Sequence, residues 1–194
     1  ASSGMIEPSG LAAVGIVTGA FAVTGLACRP LAGAFADSRG RRPVVVFGAL
    51  LMAFASALYF VPAGVPGLVV ARLLLGAGEG MVYTAGAAWI VDIAPVKRRG
   101  RIIGLYGLAI WSGLSFGAPI GELLLRAGSF DLVWAVAIST PLIAALIASR
   151  LPRPVQALRE ADGVRGALWA RESFAPGASL ALATFGYAAL AGFV

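Results

Sequence analysis

An all-α, polytopic membrane bundle is the fold class this sequence predicts, and three observations predict it. Of its 194 residues, 59% are hydrophobic and only 12% are charged, where a soluble domain carries about 25% charged residues. The apolar residues gather into runs of membrane-crossing length. The basic residues gather into every second connection between those runs.

A hydrocarbon core of roughly 30 Å needs about 20 helical residues at about 1.5 Å each. Six runs meet that length or begin to. They cover about Leu11 to Ala34, Pro43 to Val61, Gly67 to Val91, Ile102 to Leu125 and Leu132 to Ser149, and a sixth starts near Pro176 and stops at Val194. They are too long and continuous for strands, and barrel strands of about 10 residues with strict alternation are absent. Interior glycines fit helices in lipid better than helices in water.

The connections alternate in charge. The first holds Arg39, Arg41 and Arg42, and the third holds Lys97, Arg98, Arg99 and Arg101. The stretch after the fifth run holds Arg150, Arg153, Arg159, Arg165 and Arg171. These are 12 of the 15 basic residues. The second connection, Pro62 to Pro66, has none, and the fourth sets Arg126 against Asp131. By the positive-inside rule the basic connections are cytoplasmic. The first run then goes from outside to inside. Phe130 and Trp134 fall at the outer interface, where aromatic rings favour the headgroup level.

An outside start predicts one further span before residue 1, with residues 1–10 as its outer loop. The expected organisation is a transmembrane bundle over 1–149, holding spans two to six, and a cytoplasmic linker over 150–175. The opening span of a second bundle follows over 176–194.

Several chemistries are excluded. Basic residues spread in short clusters between apolar runs do not make a nucleic-acid-binding face, although net charge is +6. One cysteine, Cys28, and no histidine leave no disulfide and no Cys/His metal set. Gly113-Leu-Ser115-Phe-Gly117 has the spacing of a hydrolase nucleophile elbow, but no strand precedes it and no histidine can serve as its base. Gly76, Gly78 and Gly80 sit inside a helix, not between a strand and a helix start, so they form no phosphate loop. Close helix packing through small residues explains them. No enzyme chemistry, cofactor or metal is expected.

Three segments carry more than topology. Gly33-Ala-Phe-Ala-Asp37-Ser-Arg39-Gly40-Arg41-Arg42-Pro43 forms the first connection. A tight turn accounts for Gly40 and Pro43, and orientation accounts for the arginines. Asp37 needs another reason, because acids do little for orientation. The third run contains Leu68-Val-Val-Ala-Arg72-Leu-Leu-Leu-Gly76-Ala-Gly78-Glu79-Gly80. An Arg at the centre of a span costs on the order of 2.5–3.5 kcal/mol, so such groups are paired or face a cavity. Arg72 and Glu79 lie on one face about 10.5 Å apart in rise, a stretch for a direct bridge. Partners on another helix, or water, are expected. In the fourth run Gly113, Gly117 and Gly121 recur every four residues, an expected groove for a close neighbour. Pro119 frees the Ser115 carbonyl and should kink the helix.

The first of these segments matches G-x-x-x-D-x-x-G-R-[RK], and on it the chain resembles the major facilitator superfamily. That motif lies between spans two and three there, where topology independently put it. Ser38 stands where many members carry a basic residue. The third run is similar to the span-four motif L-x-x-x-R-x-x-Q-G-x-G, with Leu75 at the Gln position. The fourth is similar to the span-five antiporter motif G-x8-G-x3-G-P-x2-G-G, beginning at Gly104, with Ala118 before the proline and Glu122 at the last Gly.

The resemblance implies two six-span bundles, a mid-membrane substrate site and rocker-switch alternating access. It implies an inner gate built from Gly33, Asp37, Gly40, Arg41, Arg42 and Asp92. It implies proton coupling through Arg72, with Glu79 a further protonatable candidate; an Arg that locks helix ends is the alternative for Arg72. The implied packing face is Gly104, Gly113, Gly117, Pro119 and Gly121. Proton-coupled export of a small molecule is the expectation, ahead of metabolite uptake or a transporter-like sensor without turnover. Asn and Gln are nearly absent, and Phe21, Tyr83, Tyr106 and Trp111 are expected to line the cavity, which suits a lipophilic or amphipathic substrate. The implied setting is the cell membrane, with a proton gradient as energy source and a monomer at full length. Arg29 is expected to snorkel to the inner headgroups.

Overall fold

The computed structural model describes residues 8–61 and 63–151, with side chains from residue 15 onward. These residues belong to one of the two units into which the chain divides, Ala1–Leu158. The expected sixth run and nearly all of the expected linker lie outside the described residues.

Five α-helices account for the described chain: α1 (Pro8–Arg39), α2 (Arg41–Ala57), α3 (Gly64–Ile93), α4 (Arg99–Ala127) and α5 (Phe130–Arg150). Short 3-10 turns at Leu58–Phe60 and Val96–Arg98 extend α2 and lead into α4. No strand occurs among the described residues. All five helices, with their extensions, are long and apolar enough to cross a membrane, so the chain is a multi-pass membrane protein.

Every helix starts before its hydropathy-based bound, and all but α2, which ends at Ala57, also run past their expected ends. α1 continues through Asp37 and Arg39, α2 starts at Arg41 with Pro43 inside its first turn, and α4 starts at Arg99. Hydropathy marks where side chains leave hydrocarbon, whereas backbone hydrogen bonding continues until something breaks it. At the α1–α2 junction the break is Gly40, whose φ of 94° suits a residue without Cβ, and whose N–H bonds the Ala36 carbonyl at 3.1 Å. Pro30, Pro119 and Pro141 all lie inside unbroken helices. Near Pro141 the Thr140 hydroxyl donates to the Val136 carbonyl at 2.9 Å.

α3 is the centre of the bundle. α1 and α2 pack along it, α5 packs on α2, and α4 touches α3 and α5 only lightly. The buried side chains are small: Ala32, Ala36, Ala49, Ala53, Ala55, Ala71, Ala85, Ala94, Ala145, Ala148 and Ser56, with Val44 and one large ring, Trp89. Large apolar side chains such as Leu26, Phe47, Phe54 and Leu123 point outward. Lipid tails are as apolar as leucine, so the bundle gains from close backbone packing rather than from hiding large side chains.

Glycine sets that closeness. A Cβ on Gly80 would lie 2.7 Å from the Gly25 carbonyl oxygen, and one on Gly76 would lie 2.6 Å from Thr24 Oγ1. On the other side of α3, a Cβ on Gly78 would lie 2.7 Å from the Gly48 carbonyl oxygen. Gly76 and Gly80 thus admit α1, and Gly78 admits α2.

Candidate functional site: a charged cluster at one end and ionisable groups within the bundle

Three connections meet at one end of the bundle. Arg41 opens α2 and turns back towards α1 and α3. Its Nη1 donates to Asp37 of α1, and its Nε donates to Asp92 Oδ2 of α3 at 3.0 Å. One guanidinium therefore joins the ends of three helices. The two contacts differ in shielding: the Arg41 side chain is 14% exposed and Asp92 25%, but Asp37 is 59% exposed.

Arg42 reaches a fourth helix. Its Nη2 donates to the Ser149 carbonyl in the last turn of α5. Carbonyls there lack intrahelical partners, and a cation favours that end of the helix dipole. Sequence reading missed this contact, because a backbone acceptor carries no residue signature. Beside it, Arg39 stacks over Phe35 at 5.2 Å. Gly33 faces the Thr84 methyl, with room for ordinary contact.

The structure thus brings Asp37, Arg41 and Asp92 together, with Gly40 making the turn and Arg42 binding alongside. Asp37 is explained by a partner four residues ahead that also holds a second carboxylate. Lys97, Arg98, Arg99 and Arg101 stand next to this cluster in sequence, around the start of α4.

Ionisable groups also lie inside the bundle. Arg72 and Glu79 share α3 but make no ion pair with each other. Arg72 Nε is buried without a hydrogen-bond partner among the described residues. Glu79 sits one helix crossing away from Gly25 of α1, where a Cβ would lie 3.6 Å from Glu79 Oε2. Among the described residues, Arg29 is the charged group whose field reaches Glu79.

Arg29 is not drawn to the helix end as expected. Its guanidinium lies over the Tyr83 ring, 5.6 Å from the centroid, where the ring face attracts a cation. Tyr106 of α4 completes the group. Its hydroxyl donates to the Tyr83 carbonyl at 3.3 Å, and the two rings meet edge to face at 6.4 Å. Gly86 leaves space for that hydroxyl, 3.0 Å from where its Cβ would be. Of the four aromatic residues expected to line a cavity, Tyr83 and Tyr106 meet here. Phe21 presents its backbone to Gly76, and Trp111 is 56% exposed on α4.

The α4 glycines stand apart. No described atom comes within 4 Å of a Cβ at Gly104, Gly113, Gly117 or Gly121. α4 meets α3 and α5 through other positions and buries no residue. Among the described residues, the expected close neighbour of this face is absent. Pro119 lies in the same stretch without breaking the helix. Glu122 pairs with Arg126 one turn on, at 2.9 Å.

At the opposite end, Tyr59 stacks on Trp134 at 4.9 Å, and Phe130 stacks on Trp134 at 6.2 Å. This ties the end of α2 to the start of α5.

Comparison with known proteins matches this arrangement. The family model of the Major Facilitator Superfamily matches residues 6–194. The uncharacterized MFS-type transporter YhhS of Escherichia coli (strain K12) is 30% identical over 183 residues, covering 87% of this chain and 43% of that protein. Multidrug resistance protein 1 of Bacillus subtilis (strain 168) is 32% identical over 117 residues, covering 60% of this chain and 30% of that protein. The chain therefore spans less than half the length of these relatives. Among solved structures, the inward-open xylose transporter XylE of E. coli superposes with a TM-score of 0.68 at 18% identity, over 82% of this chain and 42% of that one. That likeness concerns the fold. The motifs, the five-helix bundle and the family match agree, and the chain belongs to the major facilitator superfamily.

Proposed function

We propose that the full-length protein is a secondary active transporter that exports a small lipophilic or amphipathic molecule in exchange for protons. The observation that carries this reading is the Arg41 bridge, which joins α1, α2 and α3 at one end of a bundle that holds Arg72 and Glu79 inside. A bridge of this kind closes one end while the other opens, which is what alternating access needs. The basic end is assigned to the cytoplasm and the Tyr59–Trp134 end to the outside of the cell membrane. Asp37→Asn is then expected to bias the protein away from the outward-open form. Unchanged labelling of cysteines on either side would sink that assignment.

Arg72 and Glu79 are the assigned proton-coupling residues, and no cofactor is needed beyond the proton gradient. The α4 face of Gly104, Gly113, Gly117 and Gly121 is assigned to a neighbouring span outside the described residues. The full-length protein is expected to work as a monomer.

The relative called a multidrug resistance protein supports export. A second reading, uptake with protons, is favoured by the likeness in fold to a proton:xylose symporter. Proteoliposomes holding the full-length protein decide between them. An inward proton gradient drives substrate out under the first reading and in under the second. Absence of proton-dependent flux across a panel of lipophilic cations, anions and sugars would overturn both. Proton-driven flux that survives Glu79→Gln would remove Glu79 from the mechanism.

A further inference from the structure

We infer that Arg29 is the swinging counter-ion of Glu79, exchanging between the Tyr83 ring and the Glu79 carboxylate. This rests on the transport reading only for its use, not for its geometry.

The placement follows from the α1–α3 crossing. Gly25 faces the Glu79 carboxylate, with its Cβ position 3.6 Å from Oε2. Arg29 is four residues after Gly25, so it lies on the same face of α1 one turn on. Tyr83 is four residues after Glu79, on the same face of α3. The guanidinium over Tyr83 is therefore displaced from the carboxylate by about one helical turn, roughly 5.4 Å. A side chain with four rotatable bonds covers that distance without moving either helix.

The alternatives on the neighbouring elements do not compete. On α3, Arg72 lies two turns away, towards the opposite end. On α2, Arg41 and Arg42 are engaged with Asp37, Asp92 and Ser149 at the basic end. On α4, Tyr106 spends its hydroxyl on the Tyr83 carbonyl. Glu79 itself makes no hydrogen bond or ion pair among the described residues, and Arg29 makes no ion pair either. Each is an ionisable group in a span with an open valence towards the other, which is costly unless the two can meet.

The exchange has a defined logic. With Glu79 protonated, the carboxyl is neutral and Arg29 rests on Tyr83, which tolerates a cation through its ring face. With the proton gone, Arg29 leaves the ring and neutralises the carboxylate. The proton goes to water, and no bond other than O–H is made or broken. Arg29 is thus a positioning residue, acting through Glu79.

A charge-compensation cycle on the purified full-length protein tests this. Arg29→Gln is expected to lower the thermal midpoint at neutral and alkaline pH. Arg29→Gln combined with Glu79→Gln should regain most of that loss, because removing both charges leaves nothing uncompensated. Arg29→Lys should keep the midpoint near that of the unaltered protein. The deficit of Arg29→Gln should shrink on acidification, whereas the small deficit left in the double variant by loss of the Tyr83 contact should not change with pH. Additive losses, or an Arg29→Gln midpoint equal to that of the unaltered protein, overturn the proposal. If Arg29→Gln does not accumulate, accumulation of the double variant supports it and failure of both overturns it. Flux measurements keep the two readings apart. A compensating cycle without proton-linked flux leaves the ion couple standing and removes the transport reading. Proton-linked flux with an additive cycle does the reverse.

Discussion

Replacing Gly80 with alanine puts a methyl carbon 2.7 Å from the Gly25 carbonyl oxygen. Ordinary contact begins at 3.4 Å, so α1 and α3 must part locally by about 0.7 Å. The obstacle is backbone on both sides and cannot rotate away. Overpacking of this kind costs about 1–3 kcal/mol. Alanine returns up to about 1 kcal/mol by favouring the helix over the unfolded chain. The net expectation for Gly80→Ala is a loss of about 1–2 kcal/mol, near a tenfold shift in the folding equilibrium. The same crossing approached from α1 gives the opposite answer. A Cβ on Gly25 meets the Gly76 carbonyl oxygen at 3.5 Å and Glu79 Oε2 at 3.6 Å, ordinary contacts both. Gly25→Ala should therefore range from neutral to about 1 kcal/mol more stable. The assay is the unfolding midpoint of each variant of the full-length protein in the same detergent. Equal midpoints, or Gly25→Ala falling below Gly80→Ala, would refute the claim that carbonyl clearance sets tolerance along this seam.

Three further expectations follow from other parts of the bundle. Asp92→Asn should cost about 1.5–3 kcal/mol and Asp37→Asn under about 1 kcal/mol, because the Arg41–Asp92 contact is shielded and Asp37 is open; unfolding midpoints of the two variants rank them. Tyr59→Phe should be neutral or stabilising by up to about 1 kcal/mol, since the hydroxyl is buried with no partner among the described residues. Trp134→Ala should lose about 0.5–1.5 kcal/mol of ring stacking in addition to its apolar contacts; the same midpoints compare the pair. Arg42→Ala should fray the last turn of α5, raising amide exchange around Leu146 to Arg150 by about tenfold or more, with Arg42→Lys keeping part of the protection; unchanged exchange would show that the Ser149 contact stabilises nothing.

The helices were legible because lipid imposes a length and a polarity that composition reports directly. Their ends were not. α1 carries Asp37 and Arg39 as part of the helix, since the spans stop being apolar before they stop being helical. The meeting of Asp37 and Asp92 through Arg41 was approachable from the motif, because two acids and a nearby arginine needed a shared reason. The Ser149 carbonyl was out of reach, since any residue supplies one. Small residues posed a different problem. Gly76, Gly78 and Gly80 and the α4 glycines look alike in sequence, yet the first set presses on backbone and the second faces no described atom. Spacing tells which positions are narrow, not which helix fills them. Arg29 shows the same limit: its chain position near the basic end suggests headgroups, and only the packing of α1 along α3 brings it onto Tyr83.

The alternation of Gly76, Gly78 and Gly80 between two neighbours has a mechanical consequence. α3 meshes with α1 on one flank and α2 on the other, backbone carbonyls close against its glycines, with the Thr24 and Met52 side chains set in the same seams. A toothed rod held on both flanks transmits torque without backlash. Turning α3 about its own axis would therefore press its glycines against carbonyls of α1 and α2. Among the described residues, α4 is the helix that no such mesh holds.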